Sequence, residues 1–268
     1  MALFAQKEND DPEPVSASRQ GNEGIPKQAG QSGPGSRLIA RVLPPAVRLW
    51  LQSQLDQVEA LEFQLGGRDR QILRGYVPTV TLSAVRAVYQ GLHLSQVQAE
   101  ASEIYINLGQ VVRGKPLRLL QPFPVRGRVI IAAADLNVSL ASSLLRQALQ
   151  DFLAQLWAIA HSPLQAQFAD ATIPVESAQA AIEAERLHLT IATPEGVIVL
   201  QAGLTVRDGQ VLVLNQPTMN VHFSDPGAPA VPMPDIEFDL GSEVAIDALS
   251  LSTGQLEVYG TVQVLPGD

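Results

Sequence analysis

The sequence predicts an α+β fold in which a long, curved antiparallel sheet wraps around one or two amphipathic helices. Three observations predict it. Apolar residues recur at helical spacing in two segments, Leu38 to Val58 and Leu136 to Trp157. Most of the remaining chain alternates apolar and polar residues with period two, the mark of half-buried strands. Several of these stretches change phase midway, as strands do when bulges bend a sheet.

Residues 1 to 35 are rich in Gly, Pro, Ser, Gln and charge and poor in large apolar side chains, so they read as a disordered tail ahead of one domain spanning 36–268. Leu38, Ile39, Val42, Val47, Trp50, Leu51, Leu55 and Val58 then recur at roughly helical spacing. Pro44 and Pro45 interrupt them, so either a short turn precedes the prolines or the main helix begins there. Arg37, Arg41 and Arg48 share this segment, which fits a basic helix resting on a membrane interface and equally an ordinary helix packed on a sheet.

From Ala60 the period becomes two. Leu61, Phe63 and Leu65 alternate with polar residues, and so do Ile104, Ile106 and Leu108. Between them Val80, Leu82 and Ala84 point one way, whereas Val85, Ala87 and Tyr89 require the opposite parity. Residues 76–90, if extended, would measure about 50 Å. The second helical segment opens with Asp135 as an expected N-cap and, if continuous to Ala160, would run roughly 39 Å. His161-Ser-Pro163 ends it. A meander of strands is expected near 164–175, 184–192, 195–206, 211–223, 243–252 and 255–265, with turns at Pro194-Glu-Gly196, Arg207-Asp-Gly209 and Ser252-Thr-Gly254.

The composition excludes several functions. The chain has no cysteine, hence no disulfide or thiolate chemistry. Four dispersed histidines, His93, His161, His188 and His222, lack metal-ligand spacing, and no metal or other cofactor is expected. No nucleophile elbow, phosphate-binding loop or paired-carboxylate motif occurs, so no enzymatic activity is expected. Asp235, Glu237 and Asp239 sit at strand spacing and read as one solvated face. No apolar run reaches about 18 residues, and Lys7, Glu8, Asp10 and Asp11 follow the start too soon for a secretory signal. A cytoplasmic location, peripheral to the inner surface of a membrane, is the expectation.

The net charge of −9 is unevenly spread: residues 1–134 hold 15 Lys/Arg and 11 Asp/Glu, residues 135–268 hold 3 and 16. An acidic protein is a poor general ligand for nucleic acid. Arg113, Lys115 and Arg118, followed by Arg126 and Arg128, crowd a segment with Gly114, Pro116, Pro122 and Pro124. Two readings stand for it: a loop that holds a phosphate head group, and a solvated, proline-stiffened loop that blunts a sheet edge.

Asp239-Leu-Gly-Ser-Glu-Val-Ala-Ile246, Leu249-Ser-Leu251 and Gly254-Gln-Leu-Glu-Val-Tyr-Gly260 resemble the closing strands of the LmeA-like phospholipid-binding family. Leu73-Arg-Gly75 before Val80-Thr-Leu82, then Gly91-Leu-His-Leu94 and Ile104-Tyr-Ile-Asn107, are similar to its opening hairpins, and Ala134-Asp-Leu-Asn137 to the start of its helix. The resemblance covers roughly residues 37–265. It departs at Ala132-Ala-Ala134, where a Thr/Ser-Glu pair is common, and at the proline-rich 226–234. What it implies is a curved sheet wrapped around helices, similar to tubular lipid-binding proteins, that shelters acyl chains while the head group stays near water, with no catalytic residue.

The leading expectation is therefore non-enzymatic binding or transfer of a phospholipid or another acyl lipid at a membrane surface. Leu145, Leu149, Phe152, Leu156 and Trp157 are the candidates to line an apolar cleft. Arg37, Arg41, Arg48, Arg113, Lys115 and Arg118 are the candidates to face a head group or membrane surface. The alternative is a protein-interaction or scaffold module without a lipid cavity, and an apolar cavity is what separates the two. The sequence leaves the oligomeric state open.

Overall fold

Residues 34–159, 162–166, 168–222 and 229–266 are described by the computed structural model. The expected disordered tail, apart from its last two residues, and His161 lie outside them. The chain runs α1 (Pro34–Gln54), β1 (Gln57–Gly66), α2 (Asp69–Leu73), β2 (Tyr76–Tyr89), β3 (Leu92–Tyr105), α3 (Leu108–Val111) and β4 (Phe123–Ala132). It continues through α4 (Ala133–Ser139), α5 (Ser143–Ala158), β5 (Ser177–Glu183), β6 (Arg186–Thr193), β7 (Gly196–Arg207) and β8 (Val211–His222). The last elements are β9 (Val231–Pro232), β10 (Ile236–Asp239), β11 (Val244–Ser252) and β12 (Gln255–Val264).

The result is an α+β arrangement dominated by two antiparallel sheets. The first has strand order β1-β2-β3-β4-β12-β11, so the C-terminal hairpin returns to pair with β4; the second runs β10-β8-β7-β6-β5, with β9 beside β8. Tight turns permit this. Gln90 and Gly91 both take positive φ (50° and 76°), as do Ala184 and Glu185 (48° and 61°), the backbone a two-residue hairpin requires.

The phase break expected in β2 is located at Arg86. Its φ of 49° interrupts pairing with both neighbouring strands, and as a result Ala84 and Ala87, at opposite parity, are both buried. In β8, Gln216 (φ 48°) plays the same part opposite the register shift at Gln201/Gly203. That irregularity is stitched shut by Arg186, whose guanidinium donates to the Gln201 and Gln216 carbonyls, and by Asp235, which accepts the Gln216 N–H.

Three sequence expectations are corrected. The helix expected over 135–160 is two helices, because Ala141 and Ser142 close a tight turn onto Val138 and Ser139 and the Ser142 hydroxyl then caps the Leu145 N–H of α5. Asp135 is no N-cap. It lies in the first turn of α4 and accepts a hydrogen bond from Ser95. Finally, 164–175 is not a strand: a 3₁₀ turn at Pro163–Ala166 and an irregular run place Leu164, Phe168 and Ile173 in the core, and the neighbouring strand is β5. Pro163 and Pro174 deny that run two ladder donors. As for α1, it runs through Pro44 and Pro45, which forgo two backbone donors.

Each sheet packs against one long helix. Under the second sheet, Leu149, Phe152, Leu153 and Leu156 of α5 close on Ile191, Ile198, Leu200 and Met219. Leu156 is fully buried there, so Leu156→Ala is expected to lower stability by about 3 kcal/mol, read from a chemical denaturation curve. A loss below about 1 kcal/mol would show that this core is loosely packed.

Short α4 joins the sheets. On one side Ser139 accepts the His93 N–H and Ser95 accepts the Ala132 N–H; on the other the Asn137 amide pairs with both backbone groups of Ala180 on β5. Direct backbone bonds add to the joint, Ile246 to Gly209 and Gly254 to Ile182.

Candidate functional site

The apolar face of the first sheet is only partly covered. At one end α1 packs on it, with Leu43 and Val47 buried against Val77, Ile104 and Phe123. Beside that contact lies a wholly apolar cavity of about 180 Å³, walled by Val47, Trp50 and Leu51 of α1 and by Val80, Ala101 and Val125 of the sheet. A wider cleft of about 530 Å³ shares Trp50, Leu51, Leu82 and Val264 with it and adds Leu55, Val262 and Leu265. Among the described residues on its wall, Arg118 is the one that carries charge. The first is smaller than the roughly 300–1,000 Å³ of small-molecule pockets; the wider cleft falls within that range.

Farther along the same face Val97, Val129 and Val258 are half-buried, and Val262 is 46% exposed. The row across its middle is nearly bare: Ala99 pairs with Gly127, Gly127 with Gly260, and Gly260 with Ile246. A Cβ on Gly127 would lie 2.7 Å from the Gln98 carbonyl oxygen, and one on Gly260 2.5 Å from that of Ala245. At both positions the adjacent strand crowds onto the apolar side.

The opposite, polar face carries a larger depression, about 750 Å³, lined by Thr81, Gln98, Glu100, Arg126, Arg128 and Tyr259 among others. It is broadly open, and its cations are already engaged. Arg126 bonds Asp247 at 2.9 Å and lies 5.0 Å from the Tyr259 ring centroid, and Arg128 holds Glu257 through two hydrogen bonds. The Arg128 guanidinium keeps the Glu257 carboxyl below the ordinary value of 4.5, and Arg207 does the same to Glu237 on β10.

A carboxylate depressed by folding contributes stability that is complete above its unfolded pKa and is lost as pH falls through the folded one. The melting temperature is therefore expected to decline as pH drops below 4.5, and Glu237→Gln/Glu257→Gln is expected to flatten the decline. An equal slope in the double variant would remove these pairs from the account.

The sequence candidates divide by location. Leu149, Phe152 and Leu156 are buried in the core of the second sheet, with Leu145 and Trp157 half-buried on the same helix; none of the five lines the cavities described above. Trp157 donates to the Phe168 carbonyl. Arg118 stands at the cleft wall, and its loop is fixed by Asn107, whose side chain accepts the Arg118 N–H at 2.7 Å and donates to the Pro116 carbonyl at 3.0 Å. Arg113 and Lys115 are exposed on that loop, and Arg48 lies over the Phe63 ring at 5.8 Å. The Arg37 and Arg41 side chains lie outside the described residues. Asp235, Glu237 and Asp239, expected on one solvated face, each bond a neighbour: the Gln216 N–H, Arg207 and the Gly241 N–H.

Trp50, Leu51, Leu82 and Val264 were not singled out by sequence as cleft residues. The signal that points to them is the small-residue series Ala99, Ala101, Gly127 and Gly260 in strands whose apolar face otherwise carries larger side chains such as Val97, Phe123, Val129 and Ile131. Among the described residues, no cluster of three or more His, Asp or Glu is placed to hold a metal, and no helix is long and apolar enough to cross a membrane.

A family model described as LmeA-like phospholipid-binding matches residues 35–261. No curated protein matches the chain, and no solved structure does.

Proposed function

The chain belongs to the LmeA-like phospholipid-binding family, and on that premise we propose that it holds acyl chains of a phospholipid between α1 and the apolar face of its first sheet, making and breaking no bond. The observation that carries this reading is the continuous apolar wall from Val47, Trp50 and Leu51 to Val80, Leu82 and Val264, with Arg118 at its edge. Each buried methylene contributes about 0.8 kcal/mol, so about ten contribute ~8 kcal/mol, the free energy of micromolar association. No directional chemistry is needed along the chains. Arg118 supplies it at the head, where a guanidinium donates two hydrogen bonds to a phosphate.

The crowding at Gly127 and Gly260 supports a first sheet curved toward α1, since neighbouring strands occupy the space of the missing side chains on that face. In this reading the apolar face of α5, including Leu149, Phe152 and Leu156, is structural core, and the sheltering helix is α1. Transfer of the lipid between membranes is part of the proposal, because a cleft open along one side allows entry and exit without unfolding.

Organic extraction of the purified protein followed by mass spectrometry tests the proposal. Phospholipid near one molecule per chain is expected, together with movement of labelled lipid between vesicles. Lipid-free protein that also fails to move lipid would exclude it and favour an interaction module.

A further inference from the structure

We infer that α2, α3 and the C-terminal half of α1 form a cap that docks on an anionic bilayer, bringing the cleft wall at Arg118 to the membrane. This rests on the proposed lipid site. The undersides of the three helices meet in one core cluster, through Leu43 and Val47 of α1, Ile72 of α2, and Leu108 and Val111 of α3. Residues next to those buried contacts are turned out. Leu49 is 70% exposed, and Leu73, Val112 and Leu120 are exposed as well.

Between these side chains stand Arg48, Arg68, Arg70, Arg74, Arg113, Lys115 and Arg118, all exposed. Residues 42–54, 68–75 and 107–120 hold these seven cations and one carboxylate, Asp69, in a chain of net charge −9. Elsewhere in the same half, Arg86, Arg126 and Arg128 each have a carboxylate partner. Among the described residues none of the seven cap cations makes an ion pair. Cations interleaved with exposed aliphatic side chains match a lipid interface, where the charges meet anionic head groups and the aliphatic groups enter the boundary below them. A strand of nucleic acid would instead call for exposed aromatic platforms, and the exposed apolar residues of the cap are Leu and Val. Arg118 belongs to both cap and cleft wall, so docking brings the cleft to the lipid source.

Co-sedimentation of the full chain with vesicles tests the inference, using phosphatidylcholine alone and an equal mixture with phosphatidylglycerol. Binding to the mixed vesicles only, weakening as salt rises, is expected. Each cation near an anionic surface contributes about fivefold, so Arg70→Glu/Arg74→Glu/Arg113→Glu/Lys115→Glu is expected to weaken binding by at least about tenfold. Leu73→Ser/Val112→Ser, which leaves every charge in place, is expected to weaken it too, whereas Arg146→Glu on α5 is not. Lipid content of the same preparations, measured by mass spectrometry, should be unchanged. Equal binding to both vesicle types, or full binding by both cap variants, would overturn the docking face. Lipid-free protein that still binds anionic vesicles through the cap would uphold the docking face and reject the internal lipid site.

Discussion

Ala101→Trp is expected to reduce the phospholipid carried by the purified protein by at least about tenfold while leaving the fold intact. Ala101 is half-buried on β3 and lines the smaller apolar cavity together with Val47 and Trp50. An indole placed there takes the space an acyl chain would fill, and the methylene contacts, about 0.8 kcal/mol each, are lost together. Because the ring enters existing space rather than a filled core, the usual overpacking penalty of about 1–3 kcal/mol should be largely avoided. Lipid per folded chain, measured by native mass spectrometry, is the readout. The companion Leu145→Trp on α5 is expected to leave lipid content unchanged. A folded Ala101→Trp protein with full lipid content would place the ligand elsewhere.

Gly260→Val should lower the melting temperature by about 10 °C and weaken lipid binding with it. The new Cβ would meet the Ala245 carbonyl oxygen at 2.5 Å and the Ile246 Cα at 2.9 Å, both backbone atoms that no rotamer change removes. Relief requires β11 and β12 to separate, which breaks their ladder and opens the bend proposed to close the sheet on α1. The cost expected is about 3 kcal/mol, and about 3 °C accompanies each kcal/mol in a domain of this size. A melting temperature within about 2 °C of the parent protein would show slack in the sheet at this point and remove the support the glycines give to curvature.

Much of the fold was legible because a period-two pattern follows from the backbone geometry of a single strand with one face buried. The boundaries of β7, β8, β11 and β12 follow the alternation and its turns closely, and the parity change between Ala84 and Ala87 marks the irregularity at Arg86. The break between α4 and α5 was less visible, since Leu136, Leu140, Leu144 and Leu145 keep helical spacing across a turn made by two successive hydrogen bonds. Leu164, Phe168 and Ile173 look strand-like for a similar reason. Their apolar character reflects core burial, and backbone pairing is missing.

The candidate site was the least legible part. Helices α1 and α5 both present an apolar face to an antiparallel sheet, and that of α5 is not interrupted by proline. What separates the helices is how completely the facing sheet is covered. Ile191, Ile198, Leu200 and Met219 are buried beneath α5, whereas Ala99, Ala101, Gly127 and Gly260 leave the face beside α1 low. That difference arises between strands distant in sequence, so no single window of the chain contains it. The basic residues Arg113, Lys115 and Arg118 group by closeness in sequence, and all three are exposed on the loop that Asn107 fixes.

Photocrosslinking with a diazirine-bearing phospholipid, followed by peptide mapping, tests the central claim most directly because it reports where the acyl chain lies. Label is predicted on the peptides containing Trp50, Leu82 and Val264. Label confined to α5 and the strands of the second sheet, or spread over the surface without preference, would contradict it.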